Sequence, residues 1–384
     1  MAQSPAIPTF ILRGHTSPVH ALLFLAANTH LASGDSDGWL VIWSVASKRP
    51  VAVWKAHAVG IAGMKSWGQT RLITHGRDHK LRIWKLALAE HTLSKTLPVE
   101  GARDDQPQPW LVHSIDMSAL NFCDFATCEE PADMAVQGEA GILIASPNAL
   151  DNGGVDVFQL PREQRVSQMS SDKTLNTGMV MSVALYNDSG TFHLICGYED
   201  GQVAIHRHQG GFDQGRPQWK RDSLLKLHSQ PVLSLAMSPF RDFFLTSSAD
   251  AKIVRTAFNP TTTDASNASR KSIDTKHAGQ QGLSIRSDGR IFATAGWDAR
   301  VRVYSAKTLK ELAVLKWHKE GCYSTAFADV DSPSDSAVVA DNGEHALIRS
   351  ALDIIRQERN AKAQTTHWLA AGGKDGKISL WNIY

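Results

Sequence analysis

Apolar residues recur along this chain in short runs that alternate with polar ones, as in WLVIW (39–43), KLRIW (80–84), VRVY (301–304) and KISLW (377–381). A period of two marks β-strands that turn one face to a core. Turn-forming pairs punctuate the runs, among them Asp37-Gly38, Asp200-Gly201 and Asp375-Gly376, and such pairs join neighbouring strands into hairpins. One stretch breaks the period. In EHALIRSALDIIRQERNAKAQ (344–364), Leu347, Ile348, Ala351, Leu352, Ile354 and Ile355 fall at the spacings of one helical face. The pattern therefore predicts an all-β chain carrying one inserted helix.

The alternating strands belong to a repeat. The last large residue of each lies six positions after a turn Asp: Asp37/Trp43, Asp78/Trp84, Asp200/His206, Asp250/Thr256, Asp298/Tyr304 and Asp375/Trp381. Asn152/Phe158 is a weaker seventh copy. A His stands 21 or 22 residues before the Asp in four copies (His15, His57, His228, His277), and His318 opens the last copy ahead of an insertion. Ser33, Thr74, Thr246 and Thr294 stand four positions before the Asp. A His, a hydroxyl and an acid invite comparison with a hydrolase triad, but catalysis needs its constellation once, whereas this one recurs. A structural role follows.

These residues resemble the WD40 repeat, the unit of a β-propeller. The resemblance implies that the turn Asp accepts a hydrogen bond from the loop His, that the Ser or Thr hydroxyl orients the ring, and that the Trp packs between blades. Seven copies predict a seven-bladed WD40 β-propeller occupying residues 1–384 as one domain. Pro8–Leu12 is expected to supply the fourth strand of the last blade, closing the ring and removing an open sheet edge. Insertions are expected at about 87–117, 259–276 and 328–365. Leu120–Phe125 is read as the first strand of blade 3, and Trp110 as the anchor of a docked loop before it. Residues 259–276 read as a surface excursion, and Arg207, Arg216, Lys220, Arg221 and Lys226 around Trp219 as a solvated basic loop.

Composition narrows the function classes. With 40 Lys and Arg against 38 Asp and Glu, the net charge of +2 implies no polyanion partner. Four cysteines match no disulfide or zinc template, and no leader or spanning segment is legible, so a soluble intracellular protein with reduced thiols is expected. Nothing supplies a phosphate-binding Gly loop, an H-E-x-x-H site or a nucleophile elbow. Neither enzyme activity, cofactor, metal nor small-molecule substrate is expected. Trp297-Asp298-Ala299-Arg300 spells a motif that some WD40 proteins use to dock a ubiquitin-ligase adaptor, but it lies in a turn and not at the end of a third strand. Residues beside the turn Asp should stand on one face of the ring: Arg77, Trp297, Lys374 and Glu199 are the candidate partner contacts, because exposed Trp and Arg are frequent interface anchors.

Beyond the repeat, PTFILRGHTSPVHALLF, ITHGRDHKLRIWKL, PWLVHSIDMSALNFCDF, the stretch from TKHAGQQGLSI to CYSTAFADV, and AQTTHWLAAGGKDGKISLWNIY resemble the fungal ASTRA-associated protein 1 family. The likeness runs from about residue 8 to 384 and touches the related G-protein β-subunit-like proteins. It implies a non-catalytic scaffold subunit of a nuclear assembly, with room for a cytoplasmic pool. In that family the assembly links chromatin remodelling with maturation of phosphatidylinositol-3-kinase-related kinases. The implied partners are helical-repeat kinase co-chaperones, RuvB-like ATPases and a transcription-associated pseudokinase, with no nucleic acid or membrane. A propeller that binds histone or nucleic acid directly is the alternative. A heterotrimer-type signalling subunit would want an N-terminal coiled-coil helix, for which the few residues before Pro8 leave no room.

Overall fold

Neighbouring runs pair antiparallel into seven four-stranded sheets arranged as a ring, a seven-bladed β-propeller, with one α-helix among the described residues. The computed structural model describes residues 7–87, 93–119, 123–130, 141–209, 212, 219–258, 269–330 and 351–383. Within blade 1, His30–Asp35 and Trp39–Ser44 are covered by neighbours on both faces. Their cores read as unbroken apolar runs in which Leu31, Leu40, Val41 and Ile42 are fully buried. Outermost strands meet water. Arg270–Asp274, the rim of blade 5, reads RKSID and is almost wholly exposed, the charged composition that keeps an edge from recruiting other chains. At the tight turn of blade 1, Gly38 adopts φ 86°, where a Cβ would lie 2.1 Å from the His57 carbonyl oxygen.

The ring closes as the N-terminal strand predicts. Phe10–Arg13 pairs antiparallel with Lys377–Asn382, in the register Phe10↔Leu380 to Arg13↔Lys377. Leu12 then enters a core cluster with Trp43, Trp368 and Leu380. Two further ties cross this seam. Leu97, from the long connection inside blade 2, packs beside Gly14 and Trp43, so close that a Cβ on Gly14 would lie 2.7 Å from it. The same connection accepts a hydrogen bond from Val53 N–H on the Ser94 carbonyl and donates one from Val99 N–H to the Gly14 carbonyl. It therefore runs as a strap over the rim of blade 1. Asn28, in the first hairpin of blade 1, bonds both the Asp329 backbone and the Gln364 carbonyl, the two roots of the blade 7 insertion.

Several expectations are corrected. The first strand of blade 3 is Ala126–Glu129 and not Leu120–Phe125. Residues 123–125 approach it as irregular chain in which Asp124 Oδ1 accepts the Phe125 N–H, while 120–122 lie outside the described residues. Trp110 does not dock the blade 2 loop: it opens the outer strand Trp110–Asp116 and is 75% exposed, and Leu97 is the anchor. Arg270–Asp274 turns the end of the 259–276 stretch into the fourth strand of blade 5, with 259–268 outside the described residues. The basic segment is likewise strand, because Arg207, Arg221 and Lys226 find Asp222, Asp172 and Asp200; Arg216 lies outside the described residues. The helix spans Ala351–Thr365, with Leu347 and Ile348 outside the described residues. Of its described side chains only Ala363 is buried, so it meets the ring through its last turn.

Removing residues 1–13 opens blade 7 and exposes Leu12's cluster. The truncated protein is expected to lose its cooperative thermal transition and elute as aggregate in size-exclusion chromatography, whereas Leu97→Ala costs about 2–4 kcal/mol in urea denaturation.

Candidate functional site

The residues that recur from blade to blade form hydrogen-bonded relays with a fixed polarity. In blade 2, Trp84 Nε1 donates to Thr74 Oγ1 (2.9 Å), Thr74 meets His57 Nε2 (2.7 Å), and His57 Nδ1 meets Asp78 Oδ1 (2.8 Å). An indole can only donate and a carboxylate can only accept. The His57 ring bridges the two, with Nε2 on the hydroxyl and Nδ1 on the acid, and burial favours its neutral form. Blade 7 repeats the scheme from Trp381 through Ser379 and His318 to Asp375. Blade 5 keeps Thr246, His228 and Asp250 without the indole, since Thr256 stands in its place. Asp78 and Asp250 also tie down the loops that carry their histidines, accepting the Ala58 and Ser229 N–H groups.

Three relays differ from the expected membership. In blade 1 the partner of His15 is Asp35 (2.7 Å) and not Asp37, which bonds the Ser17 hydroxyl instead. At the position of Asp35 blades 2 and 7 carry Gly76 and Gly373, where a Cβ would lie 2.1 and 2.5 Å from the ring of His57 or His318. Where glycine stands, the ring abuts the backbone and the acid two residues on reaches it. Asp35, fully buried, reaches it directly and caps the turn by accepting the Asp37 and Trp39 N–H groups. In blade 6, Thr294 bonds Gln280 (2.6 Å), which fills the place of the ring. His277 stands outside with its side chain 45% exposed, 3.4 Å from Asp298, and Arg302 holds that acid. In blade 3 the Asp151 carboxylate accepts the Ser171 N–H, while Asn152 holds the same loop through its backbone carbonyl, which accepts the Val180 N–H. Ser379 could have been read from KISLW, since a hydroxyl two residues before the indole occupies the same point as one on the adjacent strand.

Electrostatics follow the polarity. Burial holds His57 and His228 below the ordinary imidazole value despite their acids, and pushes His75 down to about 4. Burial alone would raise Asp78, but hydrogen bonds from His57 and Ala58 N–H with the charge of Arg82 outweigh it and hold the carboxyl well below its usual range. All four cysteines are buried and unpaired. No metal-binding cluster of His, Cys, Asp or Glu occurs among the described residues.

The face that carries the relay loops is the candidate site. Arg77, Glu199, Trp297 and Lys374 are all exposed on it, on blades 2, 4, 6 and 7. The structure brings two of them together: Lys374 N–H donates to the Gly321 carbonyl, and Gly321 abuts the Trp297 backbone. Arg77 and Glu199 stand apart from that pair, and Glu199 is committed to the Met179 N–H. Trp297 is 49% exposed yet fixed: its Nε1 donates to Gln281 Oε1 (2.8 Å), and its ring lies over Gly279, whose φ of 73° leaves no room for a Cβ. Gln281 lines the central channel, a cavity of about 540 Å³ that also meets His20, Lys65, Asp124, Ser234 and Tyr323. Tyr323 stacks flat on His20 at 4.9 Å. The Trp297-Asp298-Ala299-Arg300 motif lies in the turn between Ile291–Gly296 and Val301–Ser305, as its spacing implies.

A sequence profile of the ASTRA-associated protein 1 family matches residues 8–381, from the closing strand to the last relay indole. The chain belongs to the ASTRA-associated protein 1 family. The ASTRA-associated protein 1 of Aspergillus flavus is 46% identical over the whole of this chain and 98% of its own. That of Penicillium rubens is 45% identical with the same coverage. The Schizosaccharomyces pombe member is 32% identical over 98% of this chain and 99% of its own. The family match therefore spans the ring together with both long insertions.

Two outcomes follow from the relays. Asp35→Ala strands a buried imidazole and is expected to cost about 3 kcal/mol or more, whereas the exposed Asp37→Ala costs under about 1 kcal/mol, both by urea denaturation. Histidines held below 6.5 stay neutral when folded but take a proton when unfolded, so stability falls as pH drops from 6.5 towards about 4. The depressed acids Asp78 and Asp250 lose their contribution only below 3.8. Unfolding free energy from urea denaturation is expected to decline from pH 7.5 to 5, and His75→Leu to make the decline shallower by up to about 1.4 kcal/mol per pH unit.

Proposed function

We propose that the protein is a non-catalytic scaffold subunit of the ASTRA complex, joining chromatin remodelling to the assembly and maturation of phosphatidylinositol-3-kinase-related kinases. The observation that carries this reading is the pairing of full-length family membership with a prebuilt contact surface. The recurring polar residues are consumed in holding the ring together, which leaves the face around Trp297 to carry function. A large aromatic side chain that is half exposed and already oriented has little rotamer entropy left to lose on binding, the property of an interface anchor. The partners under this reading are helical-repeat kinase co-chaperones, RuvB-like ATPases and a transcription-associated pseudokinase, met in the nucleus. The family name of the relatives supports association with a multi-subunit assembly.

Affinity purification of the tagged protein followed by mass spectrometry tests the assignment. Recovery of co-chaperone or kinase-related subunits is expected, and their absence would refute the complex. Trp297→Ala combined with Arg77→Glu is expected to leave the melting curve intact while reducing recovery about tenfold or more, the cost of losing an interface anchor. Unchanged recovery would exonerate this face.

A further inference from the structure

Blade 4 departs furthest from the relay. Cys196 stands four positions before Asp200, where blades 1, 2, 5 and 6 place a hydroxyl, and His206 stands where blades 1, 2 and 7 place an indole. The preceding loop supplies no imidazole, and Leu175 and Thr177 border the space instead. A cavity of about 490 Å³ is left between blades 3 and 4, a volume typical of small-ligand pockets. Met169 and the aromatic rings of Tyr198 and Trp219 wall it. The indole of Trp219 is held in place by its hydrogen bond to Ser167 Oγ (2.8 Å).

Two polar groups converge on this space. His206 and Arg221 are directly opposed across the third and fourth strands of the blade, so their side chains share one face, and both line the cavity. His206 is only 7% exposed, and its Nδ1 has no hydrogen-bond partner. A buried unsatisfied nitrogen calls for a ligand or an explanation. Arg221 gives one guanidinium nitrogen to Asp172 (2.9 Å) and makes no second hydrogen bond among the described residues. Asp172 lies at the cavity rim with its side chain about one-third exposed, so a carboxylate already shows the chemistry that Arg221 accepts.

We infer that this cavity binds a small aromatic carboxylate. Its ring lies between Trp219, Tyr198 and Met169, and its carboxylate takes Arg221 in competition with Asp172 and reaches His206 Nδ1. Burial, with the charge of Arg221, keeps the empty-site His206 neutral, down to about 4. The groups that line the cavity beside it are Arg221 on the fourth strand, Tyr198 on the second and Asp172 on the loop. An anion placed against the ring favours its protonated form, so ligand and proton bind together.

Isothermal titration of the full chain with indole-3-acetate, in two buffers of different ionisation enthalpy near pH 6.5, reads both events. Saturable binding with proton uptake is expected, weakening about tenfold between pH 6.5 and 8 as the proton becomes scarcer. Arg221→Gln is expected to weaken it by a further factor of about ten or more, the loss of a charge-assisted contact. His206→Trp restores the indole of blades 1, 2 and 7 and fills the cavity. It is expected to keep or raise the melting temperature and to abolish binding. Undiminished binding by His206→Trp or by Arg221→Gln would overturn the inference. So would equal affinity for the uncharged indole-3-acetamide, or no saturation by about 10 mM ligand.

Discussion

Each blade is apolar on both broad faces, so none can bury its surface until it has a neighbour on either side. The ring therefore depends on one contact, the antiparallel pairing of Phe10–Arg13 with Lys377–Asn382. It joins the two ends of a chain of 384 residues. Contacts so distant in sequence carry a high entropic cost of closure, and this seam is reinforced accordingly. The blade 2 strap presses Leu97 against Gly14, Ser324 Oγ bonds the Val19 carbonyl, and Asn28 grips the roots of the blade 7 insertion. No single one of these is strong. Together they place apolar burial, backbone pairing and a buried amide at the same junction.

The relays solve a different problem, that of fixing long loops to tight turns without filling the core with unsatisfied polar atoms. A neutral imidazole is suited to this because it is donor and acceptor at once, and can carry one hydrogen-bond direction from an indole to a carboxylate. The scheme tolerates substitution as long as the direction is kept. Asp35 replaces the acid from two residues upstream, Ser379 replaces the hydroxyl from the neighbouring strand, and Gln280 replaces the ring with an amide that also has both a donor and an acceptor. Released from its interior place, His277 becomes a surface residue of the same blade that orients Trp297.

Blade number, closure and the relay histidines of blades 2, 5 and 7 were legible because they rest on spacing, and spacing is what a repeat preserves. What was illegible depended on reach. Two acids in GDSDG lie within two residues of each other, and it is the buried Asp35 that reaches His15 while the exposed Asp37 turns to Ser17. Gln280 and His277 compete for one space three residues apart, and the winner is set by burial, which periodicity does not encode. The first strand of blade 3 escaped for a local reason, since the Asp124 carboxylate takes the Phe125 N–H in an irregular segment just where the apolar run suggests a strand. On the candidate face, exposure of Arg77, Glu199, Trp297 and Lys374 followed from their place beside the turns. The support of Trp297 by Gln281 and Gly279 joins residues from a turn, a strand and a loop, and no pattern along the chain announces it.

Asn28 has a consequence for how this protein can change. Because one side chain grips Asp329 and Gln364 together, the excursion between them is a loop whose ends stay fixed whatever its interior does. The entropy of such a loop grows only logarithmically with length, so doubling it costs about 0.6 kcal/mol. The helix Ala351–Thr365 lies within that loop and buries only Ala363 among its described side chains. The arm can therefore lengthen, shorten or acquire new chemistry over generations while the propeller beneath it keeps its stability. It gives the ring a site where novelty is nearly free.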